Sequence, residues 1–449
     1  MPITVNRKRV LRLSIAAALA CSAVNAFADG DRVEELEARV AELEALVQQL
    51  LQQAAPAAPS TTQVEARAEA IAEEKVNEML AQRAAEEAEE AKKTSFVIGG
   101  YIKADMIYSD YDGGSVASAN AGRDFYIPAT VPVGDSGESY LDFHAKETRI
   151  NFKATHLLDS GAKLGAFVEM DFLLSGQGDE RISNSYSPRV RHAFMTYNNW
   201  LFGQTWMTFY NVGAYPENLD FVGPAESTVF GRQTQIRYTN GPWQFAMENP
   251  ETTVTPFGGG RVVADDNRMP DLVGRYNLTG DWGHFSVAAI LRELRYENAA
   301  AGIDDSTSGY GVSLSGLLKV GERDDFRWMA TAGKGLGRYV GLNTANAVVL
   351  DAAGNMETID TTSVYGSYRH FWNEQWRSNL TLGYLSVDND PALTGGDATK
   401  DASSIHVNLI YSPQPKLDFG VELMYADREV ESGEDGDLTR FQFSAKYAY

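Results

Sequence analysis

The twelve residues 438–449, LTRFQFSAKYAY, alternate strictly between apolar and polar positions. Phe441, Phe443, Ala445, Tyr447 and Tyr449 fall on one face of an extended strand; Arg440, Gln442, Ser444, Lys446 and Ala448 fall on the other. An ordinary amphipathic edge strand has the same pattern. Aromatics that run on to residue 449 nevertheless sit badly in a soluble domain, whose chain ends fray in water. A last strand locked between two neighbours in a closed barrel meets no such difficulty.

The same period of two begins after Ser95, where Phe96, Ile98, Gly100, Ile102, Ala104, Met106 and Tyr108 oppose Lys103 and Asp105. It returns in pairs. Strands are expected around 150–154 and 164–172, 189–197 and 200–206, 233–239 and 243–249, and 272–278 and 285–295. Further pairs follow at 310–318 and 326–334, 364–371 and 376–385, and 405–411 and 417–425, before the closing strand. The count is about sixteen, an even number as in single-chain bacterial barrels. Short turns such as Asn240-Gly241-Pro242 alternate with long Gly-, Asp- and Asn-rich loops, and aromatics gather near strand ends. A soluble sandwich or propeller also alternates, but so many greasy faces would leave an intolerable exposed patch. The expected fold is therefore all-β: a transmembrane antiparallel β-barrel over 96–449, with an α-helical coiled-coil stalk in front.

Residues 1–28 read as a secretory signal. Arg7, Lys8, Arg9 and Arg12 precede an apolar run, and Ala26-Phe27-Ala28 offers a small-x-small cleavage site. The run is short for a membrane anchor. Ala18-Leu19-Ala20-Cys21 is a faint lipoprotein box without the usual leucine at its first position. Cleavage after Ala28 removes Cys21, the single cysteine, and with it any disulfide or thiol chemistry.

In 29–53, Val33, Leu36, Val40, Leu43, Val47 and Leu50 form a heptad seam, valine at a and leucine at d. Parallel strands let Arg32 and Arg39 meet Glu37 and Glu44 of a neighbour; Leu46 and Leu51 widen the stripe, so two or three strands both fit. A single amphipathic helix lying on the main domain is the other reading. Residues 54–62 form a proline-broken linker, and 63–93 a solvated helical spacer with Val64, Ile71, Met79 and Leu80 as sparse apolar points.

A barrel this wide holds water unless a segment folds in. The candidate is 207–231, whose Tyr210, Glu217, Asp220, Phe221 and Glu226 mix apolar and acidic groups in a loop too greasy for bulk solvent. Arg149, Lys153, Arg191, Arg237, Arg275, Arg292 and Arg377 share the wet parity of their strands, and rings of arginine favour anions. Asp105, Glu147, Glu169, Asp171, Glu248, Asp271, Asp418 and Glu422 occupy wet faces too, so mutual pairing is the bland reading of any one arginine. The formal charge of −22, which becomes more negative when the four cations of the leader are lost, excludes nucleic acid as a partner. The six histidines, His144, His156, His192, His284, His370 and His406, show no metal-ligand spacing, and no nucleophile stands beside a base. No enzyme activity, cofactor or metal is expected.

Gly100-Tyr101-Ile102-Lys103-Ala104-Asp105, Thr148-Arg149-Ile150-Asn151-Phe152, Arg191-His192-Ala193-Phe194, Phe202-Gly203-Gln204-Thr205-Trp206 and Gly231-Arg232-Gln233-Thr234-Gln235-Ile236-Arg237-Tyr238 resemble the general bacterial porins, and most closely the DcaP-like porins. The stretch from Phe441 to Tyr449 resembles the C-terminal signal of outer-membrane barrels, with Tyr in place of the usual Phe. The resemblance implies a homotrimer of sixteen-stranded barrels in the outer membrane of a Gram-negative bacterium, among outer-membrane lipids and lipopolysaccharide. It further implies a periplasmic stalk, recognition of 441–449 by the barrel-assembly machinery, and passive uptake of small anions such as dicarboxylic and aromatic acids. The competing function is a barrel-anchored structural protein or adhesin without a selective pore. Deleting 29–93 should leave a barrel that inserts and conducts in planar bilayers, because that segment contributes no lumen face. A folded truncated protein without conductance would contradict this division.

Overall fold

The computed structural model describes Ala45 and residues 74–83, 93–173, 178–179 and 184–449. The signal and the linker lie outside the described residues, as does the coiled coil apart from Ala45. The chain forms two units, Met1–Ala91 and Lys92–Tyr449. In the first, 74–83 is helical with every residue exposed. No helix among the described residues is long and apolar enough to cross a membrane.

In the second unit, sixteen antiparallel strands close on themselves. The first strand, Thr94–Tyr111, pairs on one edge with the last, Asp435–Ala448, in register from Tyr101↔Ala448 to Tyr111↔Leu438. Its other edge takes two segments, Glu138–His144 on its C-terminal half and Arg149–Leu157 on its N-terminal half, which together occupy one strand position. Only the second of these segments was legible as a strand. Every later strand of the barrel pairs with the next barrel strand in sequence as far as Leu417–Val430, which pairs with the last.

The alternation sorts the side chains. In the closing strand Phe441, Phe443 and Tyr447 point outward and are exposed, whereas Arg440, Gln442 and Ser444 point inward and are buried. Ile102, Phe143, Leu291, Leu382 and Leu423 extend the same apolar belt round the wall. Turns on one rim are tight, and Asn198 at φ 50° and Gly241 at φ 55° supply the left-handed conformation that two-residue hairpins require.

Connections on the opposite rim do not stay there. Three of them, L1 (112–137), L3 (207–231) and L6 (335–359), bury Val116, Phe125 and Tyr126, then Phe209, Phe221 and Phe230, then Leu336, Tyr339 and Val340 in one apolar cluster. The wall meets them with inward-facing Val273, Ile290, Met329, Leu385, Val387 and Met424. L3 and L6 are joined by the antiparallel bridge Val229↔Val340 and by the Gly341 amide, which donates to the Thr228 carbonyl at 3.2 Å. A smaller sheet, with Thr252–Thr255 between Val262–Ala264 and the parallel strand Val348–Leu350, packs over Leu294.

At the seam the Tyr449 amide donates to the Gly100 carbonyl at 3.2 Å, and the Tyr449 hydroxyl to the Arg149 carbonyl at 3.3 Å. Removing Tyr449 together with Tyr447→Ser should therefore lower the folded barrel several-fold in membranes, read as loss of the heat-modifiable band on a gel. Unchanged folded levels would mean that these residues are not needed to seal the barrel.

Candidate functional site

L3 crosses the lumen and is held by groups from most of the wall. Arg275 donates to the Tyr210 carbonyl at 2.5 Å, Asn211 to Ser315 at 3.1 Å, and Tyr365 to the Ala214 carbonyl at 3.0 Å. Arg327 binds the Tyr215 carbonyl at 2.5 Å, and Lys103 the Leu219 carbonyl at 2.8 Å. Glu422 accepts from the backbone N–H groups of Leu219 at 2.7 Å and Asp220 at 3.3 Å. Asp220 folds the chain back on itself by accepting from the Val222 and Gly223 amides. The pieces that hold L3 come mainly from the strands between 271 and 448, together with the first strand.

The acidic groups of L3 accordingly face the wall. Glu217 lies between Arg377, at 2.7 Å, and Arg369, at 3.0 Å. Burial pushes its carboxyl up, but the hydrogen bonds and charges of these two guanidinium groups outweigh this and hold it below the usual range. Glu226 is fully buried and accepts from Ser404 at 2.8 Å. Tyr210 and Phe221 are buried in the aromatic packing of the loop, with the Tyr210 ring 5.3 Å from Trp206 and Phe221 5.9 Å from Phe230.

The wall formed by 149–240 bears arginines toward this loop. Arg149 and Arg191 lie 5.8 Å and 5.4 Å from the Phe221 ring centre. Arg191 is fully buried, held by Asp171 at 2.7 Å and Glu169 at 2.8 Å; Arg189 shares Asp171. Arg149 reaches Glu169 only at 4.0 Å. Next to them Arg232 rests on Trp206 at 4.8 Å and Phe230 at 5.8 Å and makes no ion pair among the described residues. Arg237 makes none either, and Arg275 bonds only to L3 carbonyls.

The residues singled out in the sequence thus separate. Arg149, Arg191, Arg237 and Arg275 lie on alternate strands of one wall, with Lys153 exposed further along the Arg149 strand. Arg292 stands apart, 4 % exposed, paired with Asp271 and bonded to the Gly335, Leu336 and Glu251 carbonyls, so that it fixes L6. Arg377 belongs with Glu217, Asp418 and Ser412. Arg189 and Arg232 were missed, since each sits at a strand end where parity is hard to assign. The signal available was adjacency: Arg232 follows Phe230-Gly231 at the exit of a loop already read as folding inward. Among the described residues, Asp427, Asp435 and Asp437 bring carboxylate oxygens within 4.8 Å of one another near the far rim, an ordinary arrangement on so acidic a surface.

The family model for the DcaP outer membrane protein matches residues 71–449. The chain belongs to the DcaP outer membrane protein family. With the family come the outer membrane as its place and a porin barrel as its body. The crystal structure of the outer membrane channel DcaP of Acinetobacter baumannii is similar at a TM-score of 0.64 and 22 % identity, covering 80 % of this chain and 98 % of that one. OmpT of Vibrio cholerae, at TM-score 0.48 and 9 % identity, covers 80 % of this chain and is itself covered to 98 %. The anion-selective porin from Comamonas acidovorans, at 0.48 and 12 %, covers 79 % and is covered throughout, 100 %. No curated protein matches.

Gly383 carries a sharp test of how this family member seats L3. A Cβ there would overlap Glu226 Oε1 and approach Ser227 Oγ to 2.6 Å. Gly383→Ala should lower barrel stability by about 1–3 kcal/mol, the usual effect of overpacking, and change the single-channel conductance. A variant with native melting and conductance would show that L3 does not press on this wall.

Proposed function

We propose that this chain is a passive diffusion channel of the outer membrane for small anionic solutes, dicarboxylic and aromatic acids among them. The observation that carries the reading is Arg232, a guanidinium held by Trp206 and Phe230 in place of a carboxylate. Its charge is positioned by ring faces and left uncompensated, so a passing carboxylate is the natural counter-ion. Arg237 and Arg275, likewise without carboxylate partners, extend the positive wall, and Arg149 is only weakly satisfied. We assign the water path to the side of L3 that faces this wall. The carboxylates of L3 do not oppose it, because they are turned to the far side and paired there.

The seven tryptophans all lie between residues 200 and 376. Of these, Trp200, Trp243, Trp282, Trp372 and Trp376 are exposed on the outer face. Tryptophan marks the boundary of lipid and water. The remaining arc, from 399–414 through the seam to 189–197, has none, and we assign it to subunit contact in a homotrimer. Residues 1–28 serve as the export signal, 441–449 as the mark for barrel assembly, and 29–93 as a periplasmic stalk.

One observation favours a second reading: L1, L3 and L6 fill much of the lumen, as they would in a barrel that only anchors a surface protein. Ion conductance separates the two, since an anchor does not conduct. Arg232→Gln should shift the zero-current potential in a salt gradient toward cations and slow dicarboxylate uptake on the order of tenfold, about 1.4 kcal/mol, while sparing a neutral sugar. Arg191→Gln should instead destabilise the barrel by about 1–3 kcal/mol, because it leaves Asp171 to Arg189 alone and Glu169 with only the distant Arg149 and His192. An unchanged zero-current potential in folded Arg232→Gln protein would overturn the charge assignment.

A further inference from the structure

The seat of L3 holds more buried polar atoms than partners for them. Glu226 Oε1 accepts from Ser404 and, at 3.5 Å, from Ser227, and its Oε2 is buried without a hydrogen-bond partner. The Tyr126 hydroxyl from L1, Nε2 of His406 and Nη1 of Arg440 are also buried and without hydrogen-bond partners. These groups are neighbours. The rings of Tyr126 and His406 are 6.4 Å apart, the Tyr126 amide donates to Asp220 at 2.8 Å, and Arg440 lies 3.6 Å from the same carboxylate. His406 Nδ1 is 3.2 Å from Glu422, the residue that holds the L3 backbone.

The charges in this closed space are few. Asp220, Glu226 and Glu422 face Arg440 and His406, with Asp427 and Arg428 acting on Tyr126 from further up the wall, where Arg428 is bonded to Thr399 and the Val131 carbonyl. If His406 carries a proton toward Glu422, two cations answer two carboxylates. A third negative charge would then have neither water nor a cation to meet it, and burying such a charge is expensive. Asp220 is better placed to carry a charge, with three backbone N–H donors and Arg440; Glu226 has only the hydroxyls of Ser404 and, at 3.5 Å, Ser227, both on the same oxygen.

We propose that Glu226 is a positioning residue that acts as a proton latch: seated as the neutral acid against Ser404 and Tyr126, it holds L3 to the wall, and its deprotonation loosens the constriction. Burial pushes this carboxyl up to about 7 from an ordinary 4.5. The sign follows from linkage. The seat has its full strength below about 4.5, weakens as pH rises toward about 7, and loses nothing further once both seated and released carboxyls are ionised. The proposal rests on the reading that L3 lines a conducting pore.

The test uses the full-length protein and its Glu226→Gln and His406→Gln variants in planar bilayers, from about pH 5 to about pH 8. Wild-type closures or open-channel noise should rise at least about threefold across this range; Glu226→Gln, which cannot ionise, should stay at the acid level throughout; His406→Gln should still respond. A response that persists in Glu226→Gln, that disappears only in His406→Gln, or that is missing from the wild type overturns the latch. Absence of current at every pH would instead contradict the channel reading. Hydrogen exchange of amides 219–228 then still decides: exchange faster in wild type than in Glu226→Gln at the alkaline end supports the latch, and equal exchange overturns it.

Discussion

A strand that crosses hydrocarbon must satisfy both of its backbone edges within the protein, and the pairing of Thr94–Tyr111 with Asp435–Ala448 is where this chain meets that demand. Once the seam is closed, every strand has one face toward lipid and one toward the lumen. Lysine, arginine, aspartate and glutamate are thereby confined to the inner face or the rims. The site is a consequence of this sorting: Arg149, Arg191, Arg237 and Arg275, on alternate strands, share the inner face because alternation leaves each of them only one side on which to stand.

The barrel was legible because a period of two repeated over many strands carries its own check. Nearly all strands were placed, and the closing strand was oriented correctly down to Phe441 outside and Arg440 inside. What was not legible lay where that period fails. Glu138–His144 hides beyond a long loop and shares its strand position with Arg149–Leu157. L1 and L6 fold inward to cover the apolar residues on the wet parity, Val273, Ile290 and Met329, and these carry no mark in the sequence of what covers them. L3 was foreseen from its aromatic content, but not the direction of its acids. Glu217 and Glu226 turn to the wall because Arg369, Arg377 and Ser404 wait there, and such long-range pairings leave no local trace.

Charge is decided locally here. The formal charge is −22 overall, yet the wall opposite L3 bears guanidinium groups whose carboxylate neighbours, Glu169 and Asp171, are already taken up by Arg189 and Arg191. Aromatic rings do what carboxylates do elsewhere. Trp206 and Phe230 fix Arg232 in place without cancelling it, so that its field remains available to a solute. At physiological salt a Debye length of about 8 Å screens exposed acids of the rim from this wall.

The central claim is that this local wall, and not the acidity of the whole protein, sets which ions pass. The zero-current potential of the unaltered protein, measured across a bilayer with a gradient of potassium chloride at neutral pH, addresses it most directly. The account predicts a sign that reports chloride as the more permeant ion. Preference for potassium, the ion that the overall charge would attract, would contradict it.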